Sequence, residues 1–276
     1  CTIGRHNSYG LNHIAHLAQS LFPCWSLFLQ NMGRERVVLL LDGLSVSDAW
    51  GIALLEAMGA RLVTAPTDLC GPGHGLVAFP GNGKMWFDGA DDANLLRDEV
   101  LRRAPNGTVV AEECDEQGCP LRVGILDRAP GVGRHLYYVE AMRAAILQRP
   151  REQRAAQLTT VDMAVFDGWS LAQQAAWAAR HDVIISPHGN QLTNVAFARR
   201  CAVVLELFPP NYIVPDFFTS LALDAGAVSF YLHVLPSQNE STRRGRARER
   251  SKQLYYTAEH IMRVWDDMLA ARDKCL

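Results

Sequence analysis

The sequence has no excess of charge of either sign, because 27 basic and 29 acidic side chains leave a net charge of -2. This balance gives no overall electrostatic reason to bind nucleic acid or an anionic membrane surface. Glycine (21) and proline (13) are not enriched, which excludes collagen-like and low-complexity chains. Seven cysteines in 276 residues are too few for a disulfide scaffold. With 49% hydrophobic and 20% charged residues, the composition is that of a folded globule of one or two domains.

Signatures of several common enzyme classes are also missing. No GxGxxG follows a predicted strand, which argues against a nicotinamide-dependent oxidoreductase. The stretches GPGHG and GNGK lack the GxxxxGK[ST] spacing of a phosphate-binding loop, so an NTPase of that type is excluded. Because HExxH is absent as well, we expect no metal centre and no cofactor.

Charged side chains are absent from residues 7–33, a length that fits a membrane span. Polar residues and Pro23 interrupt this stretch, and its apolar residues recur every three or four positions. This spacing predicts an amphipathic helix and not a membrane span. Since the chain begins at Cys1 and not at Met, we expect a fragment or a processed product. A signal or membrane anchor would then lie in a missing N-terminal segment.

Short β-branched runs alternate with helical periods along most of the chain. The predicted strands are Val37–Asp42, Arg61–Ala65, Thr108–Ala111, Arg122–Leu126, Thr159–Met163, Val183–Ser186, Ala202–Leu207 and Val228–Val234. The predicted helices are Leu11–Gln30, Ser47–Met58, Ala93–Arg103, Tyr137–Gln148, Leu171–Arg180, Leu192–Arg199, Pro215–Ala225 and Thr257–Arg272. This alternation predicts an α/β fold with parallel sheets covered on both faces.

Loop-rich and acidic stretches between Pro72 and Pro120 predict a domain boundary near residue 115. The predicted domains are residues 1–115 and 116–250, followed by a C-terminal helix in 251–276. This helix follows the basic stretch STRRGRARERSK, and its position suits a return across the two-domain body towards the N-terminal domain.

The segment DVIISPHGNQLTN, from Asp182 to Asn194, predicts a strand, a tight turn at His188 and Gly189, and a helix that opens at Asn190. Ligands of open α/β sheets bind at the carboxyl ends of the strands, and a helix N-terminus there favours a diphosphate. Gly189 would let the backbone approach such a group closely. The alternative is an ordinary turn in which Asn190 or Thr193 caps the helix.

Three charged residues are predicted at the same edge of the sheet. Glu206 interrupts the apolar strand VVLELFP, where a lone carboxylate either contacts a ribose or sugar hydroxyl or faces water. Arg128 and Arg134 follow the strand Arg122–Leu126, and arginine suits two-pronged contact with phosphate. Solvated loop arginines are the alternative. The run of basic residues from Arg243 to Lys252 is interpreted as a solvated loop, although it could also neutralise a phosphate-bearing ligand.

Asn12, His13 and His16 form a polar stripe on the first predicted helix. His13 and His16 share a face and could be a zinc pair, although no third ligand motif accompanies them. Alternatively His16 is a general base in a cleft, since histidine titrates near neutral pH, or the stripe carries no chemistry.

A pair of cysteines and two acceptor triplets are the sequence features that bear on the cellular compartment. Cys114 and Cys119 flank DEQG and are close enough for a small disulfide loop, or they are two free thiols. Asn106-Gly-Thr108 and Asn239-Glu-Ser241 are acceptor triplets for N-glycosylation in loop-like stretches. Together they favour the lumen of the secretory pathway.

The segment HGNQLTNVAFARRCAVVLELFP resembles the signature of glycosyltransferase family 61, commonly HGAGLTN followed by Phe and a stretch like VVEIFP. ILDRAPGVGRHLYYVEAM is similar to the arginine-rich segment of that family, with Glu140 in its acidic position and Val139 replacing the usual Asn. NHIAHLAQSLFP resembles its helix with Asn and His, and Gln173 and Gln174 resemble its glutamine-containing helix. The resemblance covers most of Asn12 to Val234.

The resemblance implies two Rossmann-like domains facing a cleft, the glycosyltransferase fold type B. It also implies an inverting enzyme that moves a sugar from a UDP-sugar, its co-substrate, to a hydroxyl of a glycoprotein or glycan in the Golgi or endoplasmic reticulum. The candidate catalytic residue in this chain is His16, near which the acceptor hydroxyl would enter from the N-terminal domain. The implied donor-binding residues are Arg128, Arg134, His188, Gly189, Asn190, Gln191, Leu192, Thr193, Asn194 and Glu206.

The chain departs from the pattern of that family at two places. Asn190 and Gln191 replace the common Ala-Gly, and Gln19 stands where relatives often carry an acidic residue three positions after the helix His. If that carboxylate is the base in relatives, this chain uses another group or is inactive. The alternative function is therefore a catalytically silent nucleotide- or carbohydrate-binding protein of the same fold.

Overall fold

The structure is a computed structural model that describes residues 1–3, 11, 13–40, 44–64, 85–104, 119–149, 159–210, 212–233 and 252–276. The strands are β1 (Thr2–Ile3), β2 (Val37–Leu40), β3 (Arg61–Val63), β4 (Leu121–Leu126), β5 (Thr159–Ala164), β6 (Val183–Pro187), β7 (Val203–Phe208) and β8 (Val228–His233). The helices are α1 (Ile14–Gln30), α2 (Ala49–Ala57), α3 (Ala90–Arg102), α4 (Val139–Gln148), α5 (Leu171–Arg180), a 3-10 helix (Asn190–Phe197), α6 (Pro215–Asp224) and α7 (Ala258–Cys275).

The described strands form two parallel sheets, so the predicted α/β class is confirmed. The smaller sheet has the order β1-β2-β3 and the larger the order β5-β4-β6-β7-β8. Counted from its own first strand, the larger sheet runs 2-1-3-4-5, one of the two common orders of doubly wound sheets. Its chain crosses from one side of β4 to the other between β5 and β6, and this reversal defines the switch point of the sheet.

Both faces of the larger sheet are covered, which explains why β6 and β7 are buried along their whole length. Alternate residues of each strand face opposite sides, as the pleat requires. Ile184 and Val204 belong to one core cluster, which also contains residues of α1, α2, α3, α5, α6 and the 3-10 helix. Ile185 and Leu205 belong to the second cluster, together with residues of α4 and α7.

Predicted and observed elements agree closely within the described residues, with differences at the ends. The first predicted helix begins at Ile14 and not at Leu11, and α4 begins at Val139 because residues 137–138 form a turn. The predicted helix at Leu192–Arg199 is a 3-10 helix that starts at Asn190. The two-residue strand β1 was missed because it is too short to show a period. The predicted strand Thr108–Ala111 lies outside the described residues.

None of the described helices is long and apolar enough to cross a membrane.

Disulfides connect distant parts of the chain. Cys1 is bonded to Cys24, and Cys201 is bonded to Cys275, which attaches the end of α7 to the start of β7. Cys119 is also disulfide-bonded. Its predicted partner Cys114 and both glycosylation triplets lie outside the described residues, so those predictions stay open.

Helix α7 packs on α4, β7 and β8. Its apolar face is buried against the larger sheet. The predicted return of this helix to the N-terminal domain stays a prediction. Leu276, which follows α7, lines the same cavity as Leu101 of α3. The predicted boundary near residue 115 lies outside the described residues, and the division into domains stays a prediction.

Candidate functional site

The candidate site lies at the switch point of the larger sheet, where the carboxyl ends of β4 and β6 are neighbours. Asp127 and Arg128 follow β4, and His188 follows β6. Open α/β sheets bind ligands in the crevice outside the strand ends at such a point. The structure thus brings Arg128, Arg134 and His188 to one edge of the sheet, as the sequence predicts.

Arg134 connects the two strand-end loops. Its Nη1 donates a hydrogen bond of 2.6 Å to the carbonyl oxygen of His188. Its backbone has a φ of 74°, a left-handed conformation that costs energy for a residue with a side chain. The Arg134 N–H donates to the Lys252 carbonyl at 2.8 Å, which holds this conformation. Arg134 is half-buried and anchored, unlike a solvated loop arginine.

Asp127 closes the loop that carries both arginines. Its Oδ1 accepts a 3.0 Å hydrogen bond from the Leu136 N–H, and its Oδ2 lies 2.8 Å from Nδ1 of His135. Burial raises the pKa of Asp127, although hydrogen bonds from the Arg128 and Leu136 backbone oppose the shift. Neither Asp127 nor His135 was singled out from the sequence. Two sequence features could have pointed to them: an acidic residue directly after a strand, and a His directly after Arg134.

A buried His–Glu pair lies beneath this loop. His188 Nδ1 and Glu206 Oε1 are 2.5 Å apart, and the two residues are only 6% and 1% exposed. Burial raises the pKa of Glu206 to about 8, although the charge of Arg134 opposes the shift. With this pKa the Glu206 carboxyl keeps its proton at neutral pH. Glu206 does not face water, which excludes that alternative.

The other oxygen of Glu206, Oε2, is buried and has no hydrogen-bond partner in the part of the chain that the structure describes. The predicted contact of Glu206 with a ribose or sugar stays a prediction. An unpartnered buried oxygen beside Arg134 is chemically suited to it, because burial without a partner costs free energy.

Aromatic rings surround the imidazole of His188. The ring centroids of Phe208, Tyr212 and Phe218 lie 5.0, 5.3 and 5.5 Å from that of His188. This packing fixes the imidazole, and the His188 N–H also donates to the Leu207 carbonyl at 2.9 Å. The contacts of Tyr212 and Phe218 with His188 were not predicted, because both residues come from a later segment of the chain that packs against the loop only in the folded protein.

The N-terminus of the 3-10 helix differs from the expected open anion cradle. Gln191 Nε2 donates to the Pro187 carbonyl at 2.8 Å, so its side chain folds back towards β6. A Cβ at Gly189 would lie only 2.5 Å from Gln191 Oε1. The space that Gly189 leaves is therefore occupied by the carboxamide of Gln191, which partly covers the helix N-terminus beside Asn190.

The remaining predicted donor-binding residues of this helix lie inside the protein. Leu192 belongs to the core, and its N–H donates to the Gly189 carbonyl at 2.9 Å, so the structure does not bring it to the site as a ligand group. Asn194 Nδ2 donates to Gln174 Oε1 at 2.8 Å. Thr193 Oγ1 and Asn194 Oδ1 are buried without a hydrogen-bond partner among the described residues.

A capping box fixes the start of α5 and thereby Gln174. Ser170 Oγ accepts from the Gln173 N–H at 3.3 Å, and Gln173 Oε1 accepts from the Ser170 N–H at 2.9 Å. The next residue, Gln174, then contacts Asn194. Gln173 therefore caps the start of α5, whereas Gln174 positions the 3-10 helix through its contact with Asn194.

His16 lies on α1, on the same side of the molecule as His188. Its ring centroid is 6.0 Å from Phe217, Phe217 is 4.8 Å from Phe218, and Phe218 contacts His188. His16 Nδ1 donates to Gln19 Oε1 at 2.9 Å. The rings of His13 and His16 are 4.7 Å apart, but in the described ranges no group of three or more His, Cys, Asp or Glu could hold a metal.

Two predicted features cannot be placed. Asn12 lies outside the described residues, and so does the basic run from Arg243 except for its last residue, Lys252. Compared with known proteins, the chain matches no protein-family model and no curated protein.

Proposed function

We propose that the protein is an inverting glycosyltransferase that transfers a sugar from a UDP-sugar to a hydroxyl of a glycoprotein or glycan. The observation that carries the proposal is the contact of Arg134 with the His188 carbonyl, because it fixes a cation between the two strand ends at the switch point. The resemblance of the HGNQLTN and LELFP segments supports the same reading, with two Rossmann-like domains facing a cleft.

In this proposal the diphosphate of the donor lies against Arg134, Arg128 and the start of the 3-10 helix. The acceptor oxygen forms a bond with the anomeric carbon while the bond from that carbon to the phosphate oxygen breaks. The electron pair of the broken bond goes to the leaving UDP, so negative charge grows on the phosphate. A guanidinium fixed in advance stabilises this charge more in the transition state than in the ground state.

His16 is proposed as the base that takes the proton of the acceptor hydroxyl. The Gln19 oxygen accepts from Nδ1, which sets the tautomer with the lone pair on Nε2. The buried Glu206 carboxyl beside Arg134 is proposed to contact a donor hydroxyl through Oε2. The disulfides support placement in the secretory lumen, since they persist in oxidising compartments.

The test combines calorimetry with UDP and UDP release from a panel of UDP-sugars. We expect saturable UDP binding and turnover with at least one donor. Arg263→Ala, in an exposed ion pair on α7, is the matched control and should behave as the wild type. No UDP binding together with no turnover overturns the proposal.

A catalytically silent nucleotide- or carbohydrate-binding protein is the second candidate. It is favoured by the His16–Gln19 contact, because a neutral amide stabilises an imidazolium less than a carboxylate would. UDP or glycan binding without transfer for every donor and acceptor tried would select this candidate.

A further inference from the structure

A cavity of about 650 Å³ lies at the opposite edge of the larger sheet from the candidate site. It opens where β4 and β6 begin, close to Arg122 and Asp182, while the Arg134 loop follows their ends. Its other walls come from α3, the end of α5, the residues before β7 and the end of α7. Six of the described residues that line it are arginines: Arg97, Arg122, Arg180, Arg199, Arg200 and Arg272.

Among the described residues, the carboxylates around the cavity do not balance this charge. Asp182 is the one acidic side chain among the described residues that line it, and its Oδ1 is shared by Arg199 at 3.1 Å and Arg272 at 2.7 Å. Arg180 is paired with Asp162 at 2.9 Å and Arg97 with Asp98 at 3.1 Å, both outside the lining. In the part of the chain that the structure describes, neither Arg122 nor Arg200 takes part in an ion pair.

Helix ends explain only part of the cluster. Arg180 and Arg272 lie in the last turns of α5 and α7, where a positive charge is favoured by the helix dipole. Arg122 lies on a strand and Arg200 follows the 3-10 helix, so neither gains from a helix C-terminus. Like charges held near one another in a partly buried cavity repel, and this cost favours an anion between them.

The size and the chemistry of the cavity define a ligand class. A volume of 650 Å³ falls within the usual range of small-molecule sites. Guanidinium groups recognise phosphate and sulfate by paired hydrogen bonds, and several converging guanidiniums select a ligand with more than one such group. We propose that this cavity binds a small polyanion that carries phosphate or sulfate groups, at a site separate from the proposed donor site.

The test uses two probes, inorganic pyrophosphate and a glucosamine carrying two sulfates, titrated by calorimetry at low and physiological salt. Because pyrophosphate could also occupy the proposed donor site, the titrations are repeated in an Arg134→Ala background. The test variant is Arg122→Gln combined with Arg200→Gln. The matched control is Arg263→Gln, which removes an exposed arginine that does not line the cavity. Thermal melting checks that each variant is folded.

We expect saturable binding of one or both probes that survives Arg134→Ala and Arg263→Gln and weakens about tenfold or more in the double variant. Tighter binding of pyrophosphate assigns the ligand to the phosphate class, and tighter binding of the sulfated sugar assigns it to the sulfate class. Binding that is lost in Arg134→Ala alone, that is unchanged in the double variant, or that does not saturate with either probe overturns the proposal. These outcomes do not depend on the result of the UDP test, because Arg122 and Arg200 test the cavity whereas Arg134 tests the proposed donor site.

Discussion

The larger sheet carries arginines at both ends of its parallel strands. We call the side where the strands end the carboxyl edge and the side where they begin the amino edge, and positive charge is held differently at the two. At the carboxyl edge, Arg134 is fixed by directed contacts, and a buried His188–Glu206 pair lies beneath it. At the amino edge, six arginines line one cavity, and two of them, Arg199 and Arg272, share the buried carboxylate of Asp182. The first arrangement orients a few groups in advance, as a reaction centre requires, whereas the second accumulates charge, as binding of a polyanion requires.

The largest effect that separates the two edges is expected for Arg134→Ala. If the guanidinium stabilises the leaving diphosphate, turnover should fall about 10²- to 10³-fold, the usual loss for one preorganised electrostatic group. Arg134→Lys should restore only part of the rate, since a point charge cannot replace a two-pronged contact. Steady-state kinetics of UDP release measures both variants. A wild-type rate for Arg134→Ala, with unchanged melting, would remove Arg134 from the site.

The second effect concerns the amino edge, where the Cys201–Cys275 disulfide attaches the end of α7 beside the arginines. Replacing both cysteines by Ser should lower the free energy of unfolding by about 2–4 kcal/mol, because the unfolded chain regains the freedom of a long loop. The bond spans 74 residues, whereas Cys1–Cys24 spans 23 and should cost less when removed. Urea unfolding of the two double variants compares them, and an equal or reversed order contradicts this account.

The sequence predicted the carboxyl edge better than the amino edge. Arg128, Arg134 and His188 each follow a strand closely, and the carboxyl ends of parallel strands necessarily meet at one edge. The His188–Glu206 pair was not predicted, because it depends on the register that places Ser186 beside Glu206. A slip of one residue would turn the Glu206 side chain to the opposite face.

The arginine cavity was not visible in the sequence at all. Its members extend from Arg97 to Arg272 and are assembled by packing of α3, α5 and α7 around the start of the sheet. The basic run that ends at Lys252 is the feature that stands out in the sequence, because neighbouring charges are evident in a linear chain. Charges that meet only in three dimensions leave no such pattern.

The third prediction tests whether the buried carboxyl of Glu206 is protonated in the folded protein. Its pKa is raised in the folded protein, so the folded state binds more protons than the unfolded state between the ordinary range of a Glu and about pH 8. The contribution of Glu206 to stability is therefore full at acidic pH and is lost as the pH rises through about 8.

Glu206→Gln keeps a hydrogen-bonding group next to His188 but does not titrate. The wild type should lose melting temperature relative to this variant as the pH increases from 5 to 9, whereas Glu259→Gln, at an exposed site, should show no such difference. Melting curves at several pH values make the comparison. Parallel curves for the wild type and Glu206→Gln would mean that Glu206 ionises normally.

The smallest expected effect comes from a substitution that uncovers the N-terminus of the 3-10 helix at the carboxyl edge. The Gln191 carboxamide occupies the space over Gly189, where a diphosphate would approach the first N–H groups of the 3-10 helix. Gln191→Gly should open this space and tighten UDP binding about two- to tenfold, the gain of about one added hydrogen bond to an anion.

Gln173→Gly serves as the control for flexibility, because it also removes a glutamine at a helix start but lies outside the site. Calorimetry with UDP measures both variants. Weaker binding in Gln191→Gly would show that the carboxamide itself contacts the ligand, and equal weakening in both variants would assign the effect to flexibility of the backbone.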